Sequence, residues 1–132
     1  MIFIRLKLSF VLYLCFFNEE VTKSAQKGIY VVLLVAADMR SFVLSLNQGY
    51  TYYKNKFGTK AGKDKLKIVT RNLREEIEDK RNFSIDEIKL NAPSKNSLAS
   101  GYEAGHILGK KYDINNYSVE EVIGDLKELL RT

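Results

Sequence analysis

The chain carries one cysteine, one histidine, one proline and no tryptophan in 132 residues. A single cysteine excludes an intramolecular disulfide and a Cys-X-X-Cys redox centre, and together with a single histidine it excludes a Cys/His zinc site. Cys15, set among Leu14, Phe16 and Phe17, reads as a buried, inert thiol. Apolar runs are short: neither Phe10 to Phe17 nor Ile29 to Ala37 reaches the roughly 20 residues that a membrane-spanning helix needs. Phosphate-binding loops are also missing. Gly109-Lys110-Lys111 lacks the hydroxyl residue after its lysine, Gly58 and Gly62 stand one residue too close, and no GxGxxG follows a strand.

What is present fits one globular domain over residues 1–132. The composition is 45% hydrophobic and 28% charged, enough for a core that needs no disulfide or metal. The net charge of +5 is uneven. Lys54, Lys56, Lys60, Lys63, Lys65 and Lys67 face the single acid Asp64, and Arg71 and Arg74 follow. Such a run concentrates polyanions, so nucleic acid is the expected partner, the competing reading being a lysine-rich loop that maintains solubility. Tyr50, Tyr52, Tyr53 and Phe57 are interleaved with these lysines; Tyr50, Tyr53 and Phe57 fit a buried helix stripe, leaving Tyr52 to stack on a base.

At the start of the chain, Arg5 and Lys7 precede an apolar run, as in a signal peptide, but bulky residues occupy the place of a cleavage site. Ile2, Ile4, Leu6, Leu8 and Phe10 fall on one face and Arg5, Lys7 and Ser9 on the other, so the segment reads as a strand and the expected location is cytoplasmic, with no membrane partner. From Glu19 to Met39 apolar residues recur at three- and four-residue steps, which favours a helix capped by Asn18 over a buried strand at Ile29 to Val35. Ser41 then opens a helix that ends at Gly58, residues 58–64 form a loop, and a third helix runs from Asp64 to Arg81. Residues 82–97 are a connector. Leu98 to Lys111 reads as a helix with Gly101, Gly105 and Gly109 on one side, placed for close packing or for self-association. Ser118 and Glu121 form a capping box for a helix to Leu130. The expected class is α+β, mainly helical, with about four helices and a small N-terminal β element.

Glu87 and Lys89 have the Glu-X-Lys spacing of metal-dependent nucleases, but without a partner carboxylate the segment reads as an exposed turn. His106 has no evident catalytic partner. No residue set implies a cofactor, a metal or a catalytic centre.

The succession of these elements, closing on Ser100-Gly101-Tyr102-Glu103-Ala104-Gly105 with Gly109-Lys110-Lys111 and Ile114 behind it, resembles the C-terminal portion of an uncharacterised family of bacteria and their phages. Members of that domain of unknown function end in a similar Gly-Tyr-X-Ala-Gly stretch. Its additional leading helical region has no counterpart here. The resemblance implies a phage or mobile-element setting and supplies no catalytic residues. The expected function is non-enzymatic binding of nucleic acid through the basic surface. The alternatives are a homo-oligomer or interaction module, built on the glycine face or the last helix, and a metal-dependent nuclease.

Overall fold

The computed structural model describes residues 2–7, 12–18, 29–92 and 97–130. Within these, five antiparallel strands form one sheet in the order β1-β2-β3-β4-β5: β1 Ile2–Lys7, β2 Leu12–Asn18, β3 Ile29–Val35, β4 Ser41–Gln48 and β5 Leu108–Asp113. Four helices accompany them: α1 Thr51–Phe57, α2 Thr59–Glu75, α3 Ser97–Ala104 and α4 Val119–Leu130. The class is α+β as expected, but the β element is neither small nor confined to the N-terminus.

The corrections have one physical cause. β3 and β4 lie inside the sheet and are buried on both faces, so Tyr30-Val-Val-Leu-Leu-Val35 and Phe42-Val-Leu44 are apolar at successive positions instead of alternating. Such a run satisfies a three- and four-residue spacing by default. The expected helix over 19–39 is therefore strand where it is described; residues 19–28 lie outside the described residues. Asn18 is not a cap but the last residue of β2, opposite Ile2. Likewise Ser41 begins β4, and the helix expected from it starts only at Thr51. The side chain of Cys15 lies outside the described residues.

A five-residue connection reverses the chain between β3 and β4. Ala36 N–H donates to the Ser41 carbonyl (2.9 Å), Asp38 Oδ1 accepts from Arg40 N–H (3.0 Å), and Met39 takes a left-handed φ of 61°. The register then pairs Val31 with Leu46, Leu33 with Leu44 and Val35 with Phe42. These residues and Leu108 and Tyr112 of β5 pack against α4 through Leu129. The alternate set, Tyr30, Val32 and Leu34, meets Leu90 of the connector and Ala99 and Tyr102 of α3 on the opposite face.

Between α1 and α2 there is no loop over 58–64. Gly58 alone turns the corner, at φ 88°, and α2 begins at Thr59. A β-carbon at Gly62 would stand 2.7 Å from the Tyr53 carbonyl oxygen, so glycine there lets α2 pass directly under α1. α2 also ends earlier than expected, at Glu75. α3 stops at Ala104, and Gly109 belongs to β5 opposite Ser45, so the glycine-bearing segment is a helix followed by a strand. The connector lies as expected over its described part, adding a bridge in which Ser84 and Gly109 exchange hydrogen bonds (2.7 and 2.9 Å). No described helix is long and apolar enough to cross a membrane.

Candidate nucleic-acid interface

α2 sorts the basic residues. Positions 63, 67, 71 and 74 lie three or four residues apart, hence on one face, and their side chains line a groove of about 390 Å³. The opposite wall is the connector, with Glu87, Ile88 and Lys89, and α3, with Ser100 and Glu103; Thr70 and Ala104 complete the lining. Five cations thus share the groove with two carboxylates.

Several of these groups are already engaged. Arg74 is half-buried and donates from Nε to the Ile107 carbonyl (3.0 Å) and from a terminal nitrogen to the His106 carbonyl, tying α2 to the segment that leads into β5. Burial lowers its pKa, and the nearby Glu87 carboxylate acts in the opposite direction. Lys63 Nζ donates to Ser100 Oγ (3.3 Å), and Glu103 accepts from Leu90 N–H (2.8 Å). Lys67 and Arg71 are exposed and make no ion pair among the described residues. With Lys89, likewise exposed on the opposite wall, they are the groove's open cations.

The remaining candidates lie elsewhere. Lys65, two residues from Lys63 and from Lys67, falls on the far face of α2; Lys54, Lys56 and Lys60 are exposed along α1 and the first turn of α2. Tyr52 packs edge-on against Tyr53, with centroids 5.3 Å apart, and its hydroxyl accepts from Lys56 Nζ at 3.4 Å. It does not line the groove. Of the aromatic stripe expected to be buried, Tyr50 is buried and Tyr53 partly so, whereas Phe57 is 41% exposed.

Beneath the groove runs a buried polar chain that sequence reasoning missed. Gln48 Nε2 donates to Thr70 Oγ1 (2.7 Å), which donates to the Ala104 carbonyl (3.2 Å). Asn47 Nδ2 donates to Ser45 Oγ and to the Tyr102 carbonyl, both at 2.9 Å, and the Ser45 hydroxyl lies 2.6 Å from His106 Nδ1. Burial, reinforced by the Arg74 charge, pushes the His106 pKa down to about 4, so the imidazole is neutral at pH 7. The signal was available: Ser45 and Asn47 interrupt an apolar run at a spacing of two, as polar groups on one face of a strand would.

The three glycines are consumed inside the molecule. A β-carbon at Gly101 would enter the Tyr50 ring, one at Gly105 would meet Asn47 Oδ1 at 2.6 Å, and one at Gly109 would enter the Leu44 carbonyl. Glu87 and Lys89 lie at the groove, and among the described residues no three His, Cys, Asp or Glu side chains gather to hold a metal ion. On the other face of the sheet, Lys110 pairs with Glu121 (2.6 Å) and Asp125 (3.2 Å), and Asp125 also accepts from the Tyr112 hydroxyl. These bonds bind α4 to β5.

Among protein families, the one described as MrcB-like, N-terminal domain matches residues 8–132. No curated protein and no solved structure matches the chain.

Proposed function

The chain belongs to the MrcB-like, N-terminal domain family, and for this member we propose a non-enzymatic domain that binds nucleic acid through the α2 groove. One observation carries the reading: Lys63, Lys67, Arg71 and Arg74 project from one helix face into a single groove. Cations held at four-residue steps on a rigid helix recur every 6 Å or so along its axis, and can meet a chain of phosphates without ordering a loop. Lys89, on the opposite wall, adds a cation from a second direction. The binding is electrostatic and largely indifferent to sequence.

The test is fluorescence anisotropy of labelled single-stranded DNA, duplex DNA and RNA against the purified chain, over a salt series. Engagement of about four phosphates gives a slope of log affinity against log salt of roughly −2.8 for single strands to −3.6 for duplex DNA, a loss of about fifty- to a hundred-and-fiftyfold between 50 and 200 mM salt. Affinity that is flat across this range would contradict the reading. A cytoplasmic location and the phage or mobile-element setting implied by the Gly-Tyr-X-Ala-Gly resemblance belong to the same proposal. Because Gly101, Gly105 and Gly109 are packed against the chain's own residues, association through that face is not favoured.

A further inference from the structure

The charges at the two ends of α2 run largely against its helix dipole. A helix favours acids in its first turn and bases near its end. Here the first turn of α2 contains no acid and does contain Lys60, preceded by Lys54 and Lys56 on α1, while Glu75, Glu76, Glu78 and Asp79 crowd the other end, where Arg74 is turned to the groove and to backbone carbonyls and Lys80 and Arg81 follow. Side chains and dipole therefore add, producing a basic end and an acidic end separated by about 25 Å along the 17 residues of α2. Within one molecule this arrangement destabilises the helix. Between two molecules aligned head to tail, it is attractive.

Each end also carries an apolar feature of matching kind. At the basic end Phe57 is 41% exposed, with Lys56 Nζ 5.4 Å from its ring centroid. At the acidic end a groove of about 450 Å³ has Leu46, Leu73, Ile77 and Ile107 in its lining and Glu76 and Glu78 among its charged residues. An exposed aromatic beside a lysine and an apolar groove edged by glutamates are complementary in kind and in charge.

We propose that the chain self-associates head to tail, the Phe57 end of one copy seated in the Glu76–Glu78 groove of the next. The contact joins two different surfaces, so each copy keeps one of each free and the assembly grows without a fixed size unless the rotation closes it. It uses neither the α2 groove nor any bound polyanion, and so stands independently of the nucleic-acid reading.

The experiment is light scattering on the nucleic-acid-free chain over a concentration series, at low and high salt, with two double reversals, K56E/K60E and E76K/E78K. Expected for the unaltered chain is a weight-average mass that climbs with concentration at low salt and falls to the monomer at high salt. Each reversal should weaken association at least tenfold, and an equimolar mixture of the two should restore growth, with the two variants alternating along the assembly. All four positions are at the surface, so each reversal should keep the helical circular dichroism and a thermal midpoint within a few degrees of the unaltered chain, which separates loss of contact from loss of fold. A monomer at every concentration would overturn the proposal. So would association that survives both reversals, or a mixture that stays monomeric.

Discussion

Single side chains decide what this fold tolerates, and two glycines make the contrast. The β-carbon of alanine at Gly109 would enter the carbonyl of Leu44, backbone that cannot yield without breaking the β4–β5 register. Gly109→Ala should cost about 1–3 kcal/mol as an overpacked core position. Gly124, within α4, has nothing within 4 Å of its would-be β-carbon, and Gly124→Ala should stabilise by about 0.5–1 kcal/mol through helix propensity. Denaturant midpoints of the two variants should move in opposite directions. Sequence spacing put both glycines in helices; only the fold separates them.

The buried histidine gives a second prediction at the same scale. The His106 pKa is lowered to about 4 from an ordinary 6.5 by burial and by Arg74. Above pH 6.5 the folded and unfolded chains are both neutral there, and stability is fully present. As pH falls, the unfolded chain takes up the proton first, so stability declines until the folded imidazole also protonates near pH 4, a loss of up to about 3 kcal/mol. His106 is the chain's one histidine, so a slope between pH 6.5 and 5 reports it alone. Urea unfolding should show that slope, and His106→Asn should flatten it.

Among the elements, legibility followed exposure. α4 was readable to within a residue because one face is solvent, giving its apolar stripe a clean period, and Ser118 Oγ accepts from Glu121 N–H at 3.3 Å as the capping box requires. Ser118→Ala should cost about 0.5–1 kcal/mol, measured by thermal unfolding. β1, on the edge, showed its alternation at Ile2, Ile4 and Leu6. β3 and β4 were unreadable as strands because burial on both faces erased the alternation, leaving helix and strand equally compatible with Val31 to Val35. The α1–α2 corner was hidden for another reason. Gly58 and Gly62 resemble a flexible loop in sequence, yet one supplies a positive φ and the other a close approach, and both serve a tight helical junction.

At the scale of the whole molecule, the basic run was visible in the sequence but its division was not. Eight cations between Lys54 and Arg74 form one block on paper; the period of α2 sends Lys63, Lys67, Arg71 and Arg74 into the groove and Lys65 to the far face. The second wall, Lys89 with Ser100 and Glu103, depends on contacts between distant segments that no local pattern encodes. The measurement that bears most directly on the proposed function uses that division. Binding of a labelled single-stranded oligonucleotide should be compared between the unaltered chain, K67E and K65E, which change the net charge equally, at one low salt concentration. The groove reversal should weaken binding at least fivefold, about 1 kcal/mol, and Lys65→Glu less than twofold through the longer-range field. Equal losses from the two would mean that the chain attracts polyanions by net charge alone, and would contradict a binding site in the groove.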